Sequence, residues 1–314
     1  MSKTLKILSR PKENAEEYGK WSVNAYIGCS HGCLYCYLKK GPSGAYLGQD
    51  APVLKKGVVS KEHAYHLAMA EIIANRDEII RDGGLFMTFT SDPCAGETRN
   101  LFVGIGGDSI RKGIPVTLLT KSTNFCREWI YAIRTPIFNC LGRDAKCDYN
   151  YEFLRSLAIG YTLTGHDELE PNACTNEQRI KDMSHIKDYE GGDNIHIWAS
   201  IEPVIDFPSS LDMIYQALNA GCEHFKIGLL TDRTRVVRKP FEFGEHKFDA
   251  FKVEDCLHFI EDVMRMTSGK ATVYWKQSVR DLLGTVYSPA AVDELLDWPH
   301  SVDKHWNMFN KKEG

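Results

Sequence analysis

Three thiols stand close together near the start of the chain, in Gly28-Cys29-Ser30-His31-Gly32-Cys33-Leu34-Tyr35-Cys36-Tyr37, at the spacing C-x3-C-x2-C. Thiolates so close on a glycine-containing loop suit metal binding. Three of them can hold three irons of a cubane and leave the fourth iron open. Two other readings stand beside that one. A structural zinc ion wants four closed ligands; His31 could be the fourth, though a histidine wedged between two ligands strains a tetrahedron. A cysteine cluster buried without metal is the third, since cysteine packs as a small hydrophobe.

Further along, polar residues recur where apolar runs end. Thr90-Ser91-Asp92, Thr120-Lys121-Ser122, Thr164-Gly165-His166-Asp167, Glu202 and Lys276 each follow such a run. Lys121 can neutralise a carboxylate and Ser91 can donate to one; a solvated loop lysine is the alternative. His166 titrates near neutrality and can carry a proton, or it caps the helix beginning near Asn176. Glu202, in the apolar string Ile201-Glu202-Pro203-Val204, is poorly solvated unless something binds it or a structural hydrogen bond satisfies it.

The elements that must position these residues alternate in type. β-rich runs at 23–27, 85–89, 115–119, 158–163, 195–200, 224–229 and 272–275 are separated by helical patterns. The helical stretches are 61–75, 98–112, 125–134, 176–187, 209–220 and 253–266, the last with Val253, Leu257, Ile260 and Met264 at helical spacing. Such alternation predicts an α/β fold with a parallel sheet, closed by right-handed crossovers into a partial (β/α)6-type barrel. Chemistry in such barrels collects at the C-terminal strand ends, where the polar residues fall. The expected division is an N-terminal extension at 1–20, a barrel at 21–287 and a C-terminal tail at 288–314.

At 314 residues, 43% hydrophobic and 25% charged, the chain can bury a substantial core. The ten cysteines accompany no secretory leader, so reduced thiols are expected rather than disulfides. Cys126, Cys140, Cys147 and Cys174 follow no compact ligand motif. Apolar runs are strand-sized, so a cytoplasmic location is expected. A net charge of −4 excludes a global positive field. Contact with nucleic acid would need a local patch, for which Arg233, Arg235, Arg238 and Lys239 are the candidates; a solvated loop is the alternative.

The spacing C-x3-C-x2-C with an aromatic, Tyr35, before its last cysteine resembles the signature of the radical SAM superfamily. The string from Asn24 to Leu38 is similar to the spore photoproduct lyase-like branch. So are Thr90-Ser91-Asp92-Pro93, Leu119-Thr120-Lys121-Ser122, the stretch from Glu170-Pro171 to Arg179, and Ser200-Ile201-Glu202-Pro203-Val204-Ile205. Together these cover most of residues 20–230. The resemblance implies a [4Fe–4S] cluster on Cys29, Cys33 and Cys36, with S-adenosylmethionine chelating the open iron. Ser91 and Lys121 would contact the cofactor's amino-acid and ribose groups, Thr162 or Thr164 would lie nearby, and the Tyr35 backbone would hold the adenine edge. It also implies a one-electron reductant of flavodoxin or ferredoxin type and hydrogen abstraction from a substrate.

One departure bears on the reaction. In spore photoproduct lyases a cysteine just before the Thr-Ser-Asp string returns a hydrogen atom to the product; here Phe89 stands there. Cys94 is the displaced candidate, in a helix-start context that also suits a buried thiol. The implied reaction is therefore rearrangement of a substituted thymine in DNA, of the phage hypermodification type, with Glu202, His166 and Cys94 as catalytic candidates. Peptide or RNA modification and photoproduct-lyase-type DNA repair are the alternatives.

Overall fold

In the computed structural model, which describes residues 5–39, 43–134, 151–231, 250–304 and 306–310, the apolar runs become short strands. They are β1 (Leu8–Ser9), β2 (Ser22–Val23), β3 (Tyr26–Ile27), β4 (Val53–Leu54), β5 (Leu85–Met87), β6 (Val116–Thr120), β7 (Leu157–Thr162), β8 (His196–Val204), β9 (His224–Leu229) and β10 (Thr272–Trp275). Eight of them form one sheet in the order β1-β2-β5-β6-β7-β8-β9-β10, while β3 and β4 make a separate antiparallel pair. From β2 to β10 every pairing in the large sheet is parallel; β1 alone runs antiparallel. The fold is therefore α/β with a mostly parallel sheet.

The helices are α1 (Gly44–Leu47), α2 (Lys61–Ala74), α3 (Arg76–Arg81), α4 (Arg99–Arg111), α5 (Cys126–Arg134), α6 (Asn176–Ser184), α7 (Phe207–Asn219), α8 (Val253–Thr267), α9 (Gln277–Leu283) and α10 (Pro289–Leu296). Their starts are chemically marked. Thr175 and Gln178 form a reciprocal capping box at α6, and Asp206 accepts from the Ser209 N–H at 2.8 Å to begin α7. The buried stripe of α8 is Cys256, Phe259, Ile260, Val263 and Met264. It is rotated from the expected one: Val253 and Leu257 only flank the core.

Strand alternation sorts the sheet into two faces. Leu85, Met87, Leu118, Ile159, Ile197, Ala199, Phe225 and Ile227 pack with helix residues such as Phe102, Trp129 and Phe259 in the main core. Phe86, Ala158 and Trp198 point the other way and pack with Tyr18, Trp306, Met308 and Phe309. The second face is thus covered by segments from both ends of the chain. Gly160 is required there: a Cβ would sit 2.1 Å from the Trp198 ring, which occupies the space above it.

The stretch expected as one strand at 23–27 is split between sheets. Asn24 donates its backbone N–H to Ile7, Ala25 accepts from Lys55, and the chain crosses from β2 into the β3–β4 pair. The Asn24 side chain bonds Ser9 and Ser22 on one side and the Phe89 N–H on the other. A polar residue that satisfies this many partners ends the pairing where hydrophobicity alone would continue it. No helix among the described residues is long and apolar enough to cross a membrane.

Candidate active site at the ends of the parallel strands

The cysteine loop leaves β3 at Gly28, whose φ of +84° and close approach to Ala51 O admit no side chain: a Cβ would stand 2.5 Å from that oxygen. Cys29 N–H donates to Gln49 O at 3.0 Å, and Leu34 N–H donates to Leu169 O at 2.9 Å. These bonds hold the loop between the β3–β4 pair and the segment after β7. Cys29, Cys33 and Cys36 line one cavity of about 20 Å³ together with His31 and Gln49. Burial, with the Asp92 charge adding to it, pushes the Cys29 thiol up to about 12. Burial likewise takes Cys33 to about 11.

His31 anchors the middle of the loop: its Nε2 lies 2.9 Å from Asp92 Oδ2. Asp92 also accepts from Cys94 N–H, Ala95 N–H, Thr120 Oγ1 and Lys121 N–H at 2.7–3.1 Å. Burial alone would raise its pKa; His31 and these donors hold it well below the usual carboxylate range. Two polar atoms beside this knot, Ser91 Oγ and His31 Nδ1, are buried with no hydrogen-bond partner among the described residues. Such atoms are normally satisfied, so both are candidate ligand contacts.

Lys121 reaches over this region from the end of β6. Its Nζ lies 3.9 Å from Glu170 Oε1 and 5.5 Å from the Tyr35 ring centroid. Burial pulls its pKa down, and Cys33 and Glu170 more than restore it. Glu170 is fully buried, accepts from Tyr35 OH and pairs with Arg179, whose guanidinium also reaches Thr162 O. Thr164 N–H donates to Asn176 at 2.9 Å, and Thr164 Oγ1 accepts from His166 N–H at 3.2 Å.

A second group gathers around Glu202 on β8. Lys276 Nζ is 2.5 Å from Glu202 Oε2 and 3.2 Å from Glu17 Oε2. Tyr18 OH bonds Glu202 Oε2 and lies 2.8 Å from Ser200 Oγ. Lys226 donates to Glu17 O at 2.6 Å, facing Tyr18 and Trp198; burial and the nearby Lys276 charge pull it down to about 7. Tyr37 connects this group to the cysteine loop. Its ring is open to solvent, but its hydroxyl bonds Phe89 O, and burial there, then Cys36, Tyr18 and Glu202, raises its pKa.

The other expected residues separate. His166 is pinned between Glu168 and Asp206, at 2.7 and 2.5 Å, and does not cap α6, whose N-cap is Thr175. Cys94 is fully buried in the main core. Cys140, Cys147, Arg233, Arg235, Arg238 and Lys239 lie outside the described residues. Glu17 and Tyr18 belong to the segment expected as an N-terminal extension, and nothing in their local sequence marks them for this group. Lys226 is not among the expected residues either, although a lysine within a buried strand is itself a signal.

Among the described residues, no group of three or more histidine, cysteine or acidic side chains is arranged to hold one metal ion. A cubane asks for a different donor set, three thiolates each on its own iron, and three soft donors lining one cavity fit that chemistry.

No family model and no curated protein matches the chain. Among solved structures it is similar to Streptococcus suis SuiB bound to S-adenosylmethionine, with a TM-score of 0.50 and 10% identity, over 90% of this chain and 57% of that one. SuiB bound to precursor peptide SuiA aligns with a TM-score of 0.49 at 10% identity, over 90% and 57% of the respective chains. The chain thus spans 57% of the length of these SuiB chains, and the likeness to the S-adenosylmethionine-bound structure is one of fold.

Proposed function

We propose that the chain is a radical S-adenosylmethionine enzyme of the spore photoproduct lyase-like branch, its sheet a partial (β/α)6-type barrel. The observation that carries the reading is the loop of Cys29, Cys33 and Cys36 lining one cavity beside Lys121. The fold's likeness to a structure that holds S-adenosylmethionine supports it. When bound on the three thiolates, a [4Fe–4S] cluster supplies the electron for reductive cleavage of S-adenosylmethionine, and so a route to hydrogen abstraction from an unactivated carbon.

The chain's own residues have separable tasks. Asp92 holds the loop through His31 and the end of β6 through Lys121 N–H. Lys121 offers a cation to the cofactor carboxylate, and Ser91 Oγ offers an unused hydroxyl. Glu202, held by Lys276 and Tyr18, faces the substrate. For the substrate we propose a substituted thymine in DNA, rearranged rather than repaired. With Phe89 in place of a donor cysteine and Cys94 buried, the reading needs a reaction in which the abstracted hydrogen is returned without a thiol. A flavodoxin- or ferredoxin-type protein would supply the electron.

Anaerobic reconstitution of the full chain tests the enzyme reading. About four irons per chain and dithionite-dependent formation of 5′-deoxyadenosine are expected, and Cys29→Ala, Cys33→Ala or Cys36→Ala should each lose both while the far-UV circular dichroism is retained. Stoichiometric zinc without cleavage would overturn it. The substrate reading is tested by deuterium transfer from thymine-labelled DNA into 5′-deoxyadenosine; transfer from a peptide or RNA alone would overturn it.

A further inference from the structure

The two oxygens of Glu202 are used unequally. Both internal partners, Lys276 Nζ and Tyr18 OH, are on Oε2. Oε1 carries no hydrogen bond among the described residues, and the side chain remains 28% exposed. The residue facing Oε1 is Gly228, where a Cβ would stand 3.0 Å from that oxygen and 3.0 Å from Lys276 Cδ. The carboxylate is therefore fixed from one side and left open on the other.

We propose that Glu202 Oε1 accepts the ring N–H of a thymine-type base, with Tyr18 and Lys276 as the residues that position the carboxylate; this rests on the reading of the substrate as such a base. An ionised carboxylate only accepts hydrogen bonds. It therefore pairs with the imide N–H of thymine and meets a lone pair at the corresponding ring nitrogen of cytosine. Lys276, itself 3% exposed and held also by Glu17, places its ammonium on Oε2 and leaves Oε1 unoccupied. Aromatic surface for a base taken out of its stack lies nearby. Tyr37, 61% exposed, bonds Phe89 O, and the Phe89 ring lies 6.3 Å from that of Tyr18. Tyr18 and Glu17 make the N-terminal segment part of this site.

Equilibrium binding of short single-stranded oligonucleotides to the full chain, read by fluorescence anisotropy at one salt concentration, tests the assignment. Oligothymidylate should bind about tenfold or more tighter than the same strand carrying N3-methylthymine, and tighter than oligocytidylate by a similar factor. Glu202→Gln should bring the N3-methyl ratio close to one. Tyr18→Phe, which keeps the ring and removes one bond to Oε2, should reduce the ratio without abolishing binding. The methyl group is on the ligand, so the comparison in the unaltered protein stands even where a variant fails to fold. Binding that ignores the methyl group, or a ratio that survives Glu202→Gln, overturns the assignment. Failure to bind any oligonucleotide overturns the substrate reading beneath it. Neither outcome touches the iron and cleavage measurements that test the enzyme reading.

Discussion

His31 Nε2 lies 2.9 Å from Asp92 Oδ2, so the middle of the cysteine loop hangs from the carboxylate that also receives the backbone of Lys121. The folded-state pKa of Asp92 is depressed because, against burial, His31 and the hydrogen-bond donors favour the charged form. Its contribution to stability is therefore full above the unfolded value of about 3.9 and is lost as pH falls toward the lower folded value. Asp92→Asn should cost about 3 kcal/mol at neutral pH. The gap in melting temperature between variant and parent should narrow below about pH 4, where the unfolded chain takes up a proton that the folded parent still resists. A gap that stays constant from pH 7 to pH 3 would refute this account.

Gly160→Ala tests the opposite face of the sheet. A Cβ placed 2.1 Å from the Trp198 ring cannot be absorbed by a flexible chain end, because Trp198 is itself fully buried. Overpacking of this kind costs about 1–3 kcal/mol, and a rigid indole puts this case at the upper end. Urea unfolding should show a lower midpoint with an unchanged slope.

What the sequence revealed, and what it hid, follows one physical division. Strands at 224–229 and 272–275 form over the expected residues, and the helices from α2 to α8 appear where periodicity expects them, apart from the short α3. Apolar spacing is local information, and so is the capping chemistry of Thr175 and Asp206. The polar strand endings Lys121 and Lys276 were legible for the same reason; Glu202, expected just past its strand, lies inside the longer β8. Tyr18 was not: its hydroxyl meets Ser200 and Glu202 from far away in the chain, and nothing near Tyr18 announces that pairing. Cys94 failed in the other direction. Proximity to Thr90 suggested the rim, yet the turn built by Asp92 sends the thiol into the core.

His166 sits between two carboxylates, and their hydrogen bonds outweigh a burial that would lower its pKa. A raised folded value means the contribution is full below the unfolded pKa of about 6.5 and disappears as pH rises through the folded one. His166→Gln should therefore destabilise the protein at pH 6 and matter progressively less as the pH climbs past neutrality. Thermal melts at pH 6, 7.5 and 9 check this; a larger effect at pH 9 than at pH 6 would reverse the sign and defeat it.

Lys121 separates cofactor binding from scaffolding, because its two ends do different jobs. The backbone N–H bonds Asp92, and any residue other than proline can supply that bond. Among the described residues, the side chain makes the 3.9 Å approach to Glu170 and the contact with the Tyr35 ring, and no closer ion pair holds its charge from a carboxylate. Lys121→Met should thus keep the fold and the iron content of the reconstituted protein. S-adenosylmethionine affinity should fall by about 1.5–3 kcal/mol, the worth of a charged hydrogen bond, or roughly ten- to a hundredfold in Kd. Lys121→Arg should recover part of the loss, since a guanidinium restores the charge with different reach. Calorimetric titration under anaerobic conditions, with iron measured on the same samples, distinguishes the outcomes. Unchanged affinity would leave the Lys121 side chain a structural partner of Glu170 alone. Lost iron would instead mean that its charge beside Cys33 sustains the thiolates, and the cofactor carboxylate would need another partner.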